Sequence, residues 1–459
     1  MGLKANGSFG FGDASSGGSG GGSVNSVTGL NTDNTDPTNP IVQISVDGST
    51  ITGAGTPASP LVANIPTTNV VGIEDGSGGY TYYSNLTNAM AGAVSGQTIT
   101  FFADVTESGA AVNLKDGVDI NFNGYTFTNN STTNSDSCFT MSAIGAVVRM
   151  YNGLAIRDNS NAPVDAFENV VLSDDKASTI LHLNNVTFES TNSIAYYKGS
   201  GNDCEIYGGV FIGDYTDEVI SGGRIRSGVT NIKLENLIAR PLSDTTFYFD
   251  CSASNLNATN CIFEGGLFTR GGNVNSCTVL GTGDGLRNSA NDIVVRNCTL
   301  NNCGGSLLRL LNCAVNGSIT MQGTCIVQNC SVRGEVPIFI ASGNVNYVNG
   351  CSVEATNGAC VQISSSAGDN SYISNCALTN LSSGFPIIDV GNTFAGARLE
   401  VANNFADSSD ATQYFIESGV SSKNAKLVNN AVNGVVGITN FITNTQVTTQ
   451  DNFGNVLID

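Results

Sequence analysis

The chain has 459 residues, and its 38 Asp plus Glu outweigh 18 Lys plus Arg to give a formal charge of −20. So acidic a surface repels phosphate backbones, which sets nucleic acid aside as a partner. No run of about 18 apolar residues occurs, so no membrane-spanning helix is expected. The 55 glycines, nine prolines and absence of tryptophan describe a chain of many turns and few large core residues.

Residues 1–23 form a Gly/Ser-rich arm with the composition of a flexible linker. Phe9 and Phe11 are its only bulky side chains, and they are the expected anchors if the arm docks into a larger assembly. The start, Met1-Gly2-Leu3-Lys4-Ala5-Asn6-Gly7, lacks the apolar stretch of a secretory signal, so export by that route is not expected.

Residues 24–69 carry a short internal repeat. Val27-Thr28-Gly29 leads to Pro37-Thr38-Asn39-Pro40-Ile41-Val42, and Ile51-Thr52-Gly53 leads to Pro57-Ala58-Ser59-Pro60-Leu61-Val62. Paired prolines hold the backbone extended and exclude helix. Val42 to Val46 alternates like a strand, and Asp47-Gly48 is a hairpin turn signal. This is a small β module with too little apolar surface to stand alone, and intertwining with copies of itself would remedy that.

Residues 70–130 open the main body. Leu86, Ala89, Met90 and Ala93 recur at helical spacing within Tyr83–Val94, which predicts the one helix of the chain, stopped by Gly96. Thr98 to Phe102 and Asp119 to Phe127 then alternate as strands. A helix here would cap the open end of a repeating core.

From Val186 to Phe453 a four-residue phrase recurs at a mean step of about 24 residues, the mark of a solenoid. It reads Asn185-Val186-Thr187-Phe188, Asn260-Cys261-Ile262-Phe263, Ser276-Cys277-Thr278-Val279, Asn297-Cys298-Thr299-Leu300, Asn329-Cys330-Ser331-Val332, Gly350-Cys351-Ser352-Val353 and Asn375-Cys376-Ala377-Leu378. Gly208-Gly209-Val210-Phe211 and Asn236-Leu237-Ile238 are further copies, weaker ones stand at Asn404-Phe405, Asn430-Ala431-Val432 and Asn452-Phe453, and Asn312-Cys313-Ala314-Val315 reads as an extra copy inside the longest step. One coil cannot bury its own apolar side chains, but stacked coils can, each strand pairing with its copy above and below. The expected fold is therefore an all-β parallel β-helix over residues 131–459. Val186, Cys261, Cys277, Cys298, Cys330, Cys351 and Cys376 should form one inward column, with the preceding Asn at a left-handed bend. A sandwich of many short strands is the competing architecture, but sandwich strands do not repeat one phrase.

The 13 cysteines are best read as reduced thiols acting as small core hydrophobes, although adjacent coils would bring some within bridging distance. Cys298 with Cys303, and Cys325 with Cys330, lack zinc-ligand spacing, so neither a metal nor another cofactor is expected. His182, the one histidine, lies in an apolar alternation and reads as a core or edge residue rather than a base.

Two stretches carry a resemblance. Tyr83-Ser84-Asn85-Leu86 through Gly96-Gln97-Thr98-Ile99, with Asn121-Phe122-Asn123-Gly124-Tyr125-Thr126-Phe127, resemble the opening of pectate-lyase-like right-handed β-helix proteins. The segment from Val27 through Pro60-Leu61-Val62 resembles the amino-terminal segments of bacteriophage tail fibres and tailspikes. Together they imply a homotrimeric virion protein made in the host cytoplasm. It would be attached through its N-terminal segment, with Phe9, Phe11, Pro37, Pro40, Pro57 and Pro60 as anchor or trimer contacts, and would present a β-helical body to a host-surface glycan or receptor.

The resemblance leaves a structural or adhesive fibre beside a tailspike glycan depolymerase, hydrolase or lyase. A head fibre and a bacterial surface adhesin are further alternatives. Hydrolysis needs a carboxylate pair. Asp214, Asp217 and Glu218 are the densest acidic group in the solenoid, with Arg224 and Arg226 close behind, and they are the catalytic candidates if the chain is an enzyme. A solvated loop with a surface ion pair explains the same residues, as it does Asp174-Asp175-Lys176. Tyr196, Tyr197 and Tyr215 are the nearby rings that would serve a sugar.

Overall fold

The computed structural model describes residues 70–132, 137–160, 169–201, 203–215, 219–226, 228–242, 247–253, 255–282, 285–342, 345–364, 370–390, 398–410, 414–418 and 425–433, with short strands elsewhere. It divides into two compact units, Met1–Thr67 and Thr68–Asp459. In the first, Asn31–Asp33 pairs antiparallel with Ile41–Gln43, and Ile51–Thr52 with Val62–Ala63. Phe9, Phe11, Pro37, Pro40, Pro57, Pro60 and the Asp47-Gly48 turn lie outside the described residues.

The second unit is a right-handed parallel β-helix whose coils carry three strands each. The first face starts at Thr98–Phe101 and runs through Ile293–Arg296 to Gln450–Phe453. The second starts at Val105–Glu107 and ends at Val456–Ile458. The third starts at Val112–Leu114 and ends at Ile442–Thr443. Each strand bonds its counterparts one coil before and after, so the pleat sends alternate residues inward in register.

The bend between first and second faces explains the repeated phrase. Asn185, Asn236, Asn260, Ser276, Asn297, Asn312, Asn329 and Asn375 all have φ between 53° and 58°, and Gly350 takes the same place at 66°. Asparagine tolerates this left-handed backbone, which turns the chain sharply without breaking the ladder on either side. The next residue points inward. Cys261, Cys277, Cys298, Cys313, Cys330, Cys351 and Cys376 are buried and free. Each thiol donates to the carbonyl two residues earlier, as Cys277 does to Asn275 O at 3.2 Å and Cys376 to Ser374 O at 3.1 Å. Cysteine thus fills a narrow corner and covers a carbonyl at the end of a strand.

The register corrects three expectations. Cys313 belongs to a coil of its own: Leu300 stacks directly on Val315 across a short coil, whereas Ala155 stacks on Phe188 across a much longer one. Asn404 and Asn430 occupy the cysteine column rather than the bend, which Asn403 and Asn429 take at φ 56° and 51°. Asn452-Phe453 lies on the first face, paired with Leu427-Val428, and is not a copy of the phrase.

The helix spans Leu86–Gly92, shorter than expected. Asn85 caps it by accepting from Asn88 N, and Glu107 accepts from Leu86 N at 2.6 Å and Thr87 Oγ1 at 2.5 Å. It ends at an extended Ala93 rather than at Gly96, which serves the following turn at φ 88°. Leu86, Ala89 and Met90 cover the first coil, and the antiparallel pair Val71–Glu74 and Tyr80–Tyr83 closes it beside Thr98–Phe101.

Candidate functional site

Outward positions on the first face carry the chemistry. On successive coils Arg149 stacks on His182, and His182 on Tyr207. The His182 and Tyr207 rings lie 4.7 Å apart and 14° from parallel. Lys233, one coil further, sits 4.5 Å from the Tyr207 ring centroid and donates to its hydroxyl oxygen at 2.8 Å. The Tyr207 hydroxyl donates to Glu205, and Lys233 also pairs with Glu235 at 3.4 Å. At the other side Arg149 lies 3.8 Å from Asp119, which accepts from Tyr151 OH at 3.3 Å. Burial against the stack and the neighbouring Arg149 charge lower the His182 pKa from its usual value, which favours the neutral imidazole.

A second station lies seven coils away, about 34 Å along the axis. Tyr347 and Tyr372 stack at 4.8 Å and 10°, with Arg398 5.8 Å from the Tyr372 ring. Glu400 accepts from Arg398 at 2.6 Å and faces Lys426 at 3.8 Å. Tyr347 is 41% exposed. Both stations combine a flat ring with fixed donors and acceptors, the combination a sugar needs: an apolar platform for its C–H face and polar partners for its hydroxyls.

The residues singled out beforehand are placed differently. Asp214 is largely buried at a turn where it pairs with Ser221 in an antiparallel bridge, and Asp217 and Glu218 lie outside the described residues. Arg224 is bound to Asp250 at 3.0 Å, and Arg226 lies 5.6 Å from the Tyr197 ring. Tyr196 is a core residue stacked on Phe211 at 5.5 Å, Tyr197 is buried with Val170, Ile194 and Ile220, and Tyr215 packs against that cluster, so none of the three offers an open platform. His182 is neither core nor edge: Leu181 and Leu183 point inward and the histidine between them points out. Asp174, expected on the surface, is fully buried against Lys198. No group of three or more His, Cys, Asp or Glu side chains among the described residues is arranged to hold a metal ion.

No protein-family model matches the sequence, and no curated protein sequence matches it. Among solved structures the chain is similar to the A-module of Azotobacter vinelandii mannuronan C-5 epimerase AlgE6, with 12% identity and a TM-score of 0.30 over 81% of this chain and 93% of that one. It is similar also to the A-module of AlgE4 from the same organism, with 13% identity and a TM-score of 0.30 over 80% and 93%.

Proposed function

We propose that this chain is a fibre or spike protein of a bacteriophage virion, attached through its N-terminal segment, whose β-helical body adheres to host-surface glycan. The observation that carries the reading is the exposed Tyr347–Tyr372 stack bracketed by Arg398, Glu400 and Lys426 on a continuous sheet face. The phage-like phrases between Val27 and Val62 support the viral assignment. The test is retention of the full-length chain on polysaccharide from candidate hosts. Wild type should bind at least one of them, and Tyr347→Ala with Tyr372→Ala should lose that binding. Retention unchanged in the double variant would remove the face from consideration.

The proposal includes a homotrimer. The second face suits lateral contact: Leu154, Ile156, Val210, Ile212, Ile238 and Ile262 are half-buried and outward, between buried inward neighbours such as Ala155 and Phe211. Light scattering should give three times the mass of one chain, and a stable monomer would overturn this part.

A depolymerase remains the second reading because of one observation: His182 lies against Tyr207, whose hydroxyl contacts Lys233 and Glu205. Groups that can pass a proton beside cations suit elimination from an acidic sugar. Chain cleavage by wild type that disappears in Tyr207→Phe would favour it over simple adhesion.

A further inference from the structure

The third face carries a cleft that neither station uses. Its volume is about 350 Å³, and its wall includes Arg287, Asn302, Ser318, Thr320 and Gln322, with Gly304 as the recess. One outward column runs Phe268, Arg287, Gly304, Thr320, Phe339 on five successive coils. The glycine makes the hollow: a Cβ there would stand 3.2 Å from Thr320 Cβ. No described lining residue is a carboxylate, in a chain of charge −20. Asn288, buried on the inward beat of the same strand, borders the cleft and is held by its Nδ2, which donates to Asn291 O at 2.7 Å and Ser306 O at 2.5 Å.

We propose that this cleft is a sugar subsite that seats one hydroxyl-rich pyranose unit, a deeper form of the glycan-binding reading on which it rests. Amides, hydroxyls and a guanidinium supply both donors and acceptors, the pattern that answers a sugar's hydroxyls. Phe268 and Phe339, in the same outward column and each two coils or about 10 Å from Gly304, are the apolar residues nearest along the axis for neighbouring units.

The experiment is saturation-transfer NMR on the full-length chain with free glucose, galactose, mannose, rhamnose and N-acetylglucosamine. At least one should receive saturation. Thr320→Trp, which fills the recess from an outward position, and Gln322→Ala, an exposed change, should each weaken that sugar about tenfold. Transfer to no sugar, or transfer undiminished in Thr320→Trp, overturns the subsite. If either occurs while polysaccharide retention still depends on Tyr347 and Tyr372, the subsite falls and the adhesive reading stands. If wild type retains no polysaccharide and no free sugar, both fall.

Discussion

Asp174 and Lys198 meet across adjacent coils, carboxylate oxygen to ammonium nitrogen at 2.9 Å, with both side chains shut off from solvent. The carboxylate also accepts from Thr179 Oγ1 at 2.5 Å and Tyr196 OH at 3.4 Å, and the ammonium donates to Thr179 Oγ1 at 3.3 Å and to the Lys176 carbonyl. Such a pair is a register lock. Slipping one strand by a residue would leave a charge alone in the core.

Removing one partner should therefore cost far more than removing both. Lys198→Met and Asp174→Leu should each destabilise the β-helix by about 3–5 kcal/mol, whereas the double change Asp174→Leu with Lys198→Met should recover most of the loss. Denaturant midpoints of the single and double variants give the coupling directly. Additive losses would show that the pair does not act as a unit.

The bend column makes a second, independent claim. Asn329 has φ 54° and its amide reaches Asn312 Oδ1 at 3.4 Å, while Gly350 holds the equivalent backbone one coil later without a side chain. Asn329→Gly should thus be nearly silent. Asn329→Val places a β-branched residue in the left-handed region and should cost about 1–2 kcal/mol. Equal stability of the two variants would mean that the amide ladder, not the backbone angle, selects asparagine.

How much of this was legible in the sequence follows from what repeats along it. The Asn-Cys phrase recurs once per coil because stacking imposes one environment on every copy, so the winding and the inward wall could be read from residues such as Cys298 and Cys351. The spacing rule failed where coils shorten: Cys313 looked surplus only because the Leu300–Val315 register closes its coil early. Asn404 and Asn430 misled because asparagine suits both the bend and, when its amide is satisfied, the column; Asn404 Oδ1 takes the Cys376 N–H at 2.9 Å and its Nδ2 gives to Ile373 O. Asp174 reads as a surface charge because its partner lies 24 residues on, a distance that means nothing until the coil length is known. The exposed rings did have a signal. Tyr347 and Tyr372 sit at the outward beat of alternating strands, and the step from one to the other is a single coil.

Reduced, packed thiols give a third prediction. All 13 cysteines are free and buried. Burial pushes the Cys138, Cys204 and Cys360 thiols up to about 12, so almost no thiolate forms there near neutral pH. The native chain should react with fewer than one equivalent of a disulfide reagent at pH 8, and with 13 after unfolding in denaturant. A lower count in the unfolded chain would reveal bridges between coils, and a high count in the native one would mean that the wall is open.

His182 supplies the last. It is the only histidine, so its Hε1 proton gives one resolvable NMR signal. Burial against the stack lowers its pKa first, the Arg149 charge lowers it further, and Glu205 and Asp119 raise it. The folded value should thus lie below the unperturbed 6.5. Arg149→Ala and Tyr207→Ala should each raise it, the first by removing a cation and the second by uncovering the ring, while Glu205→Gln should lower it. The linkage sign follows: above 6.5 both folded and unfolded chains hold the imidazole neutral, and the stack contributes fully. As pH falls from 6.5 toward the lower folded value, only the unfolded chain takes up the proton, and stability declines across that window. Below the folded value no further loss arises from this group. A measured pKa at or above 6.5 in the wild type would mean that His182 does not rest on Tyr207 in solution, and the first station would lose its platform.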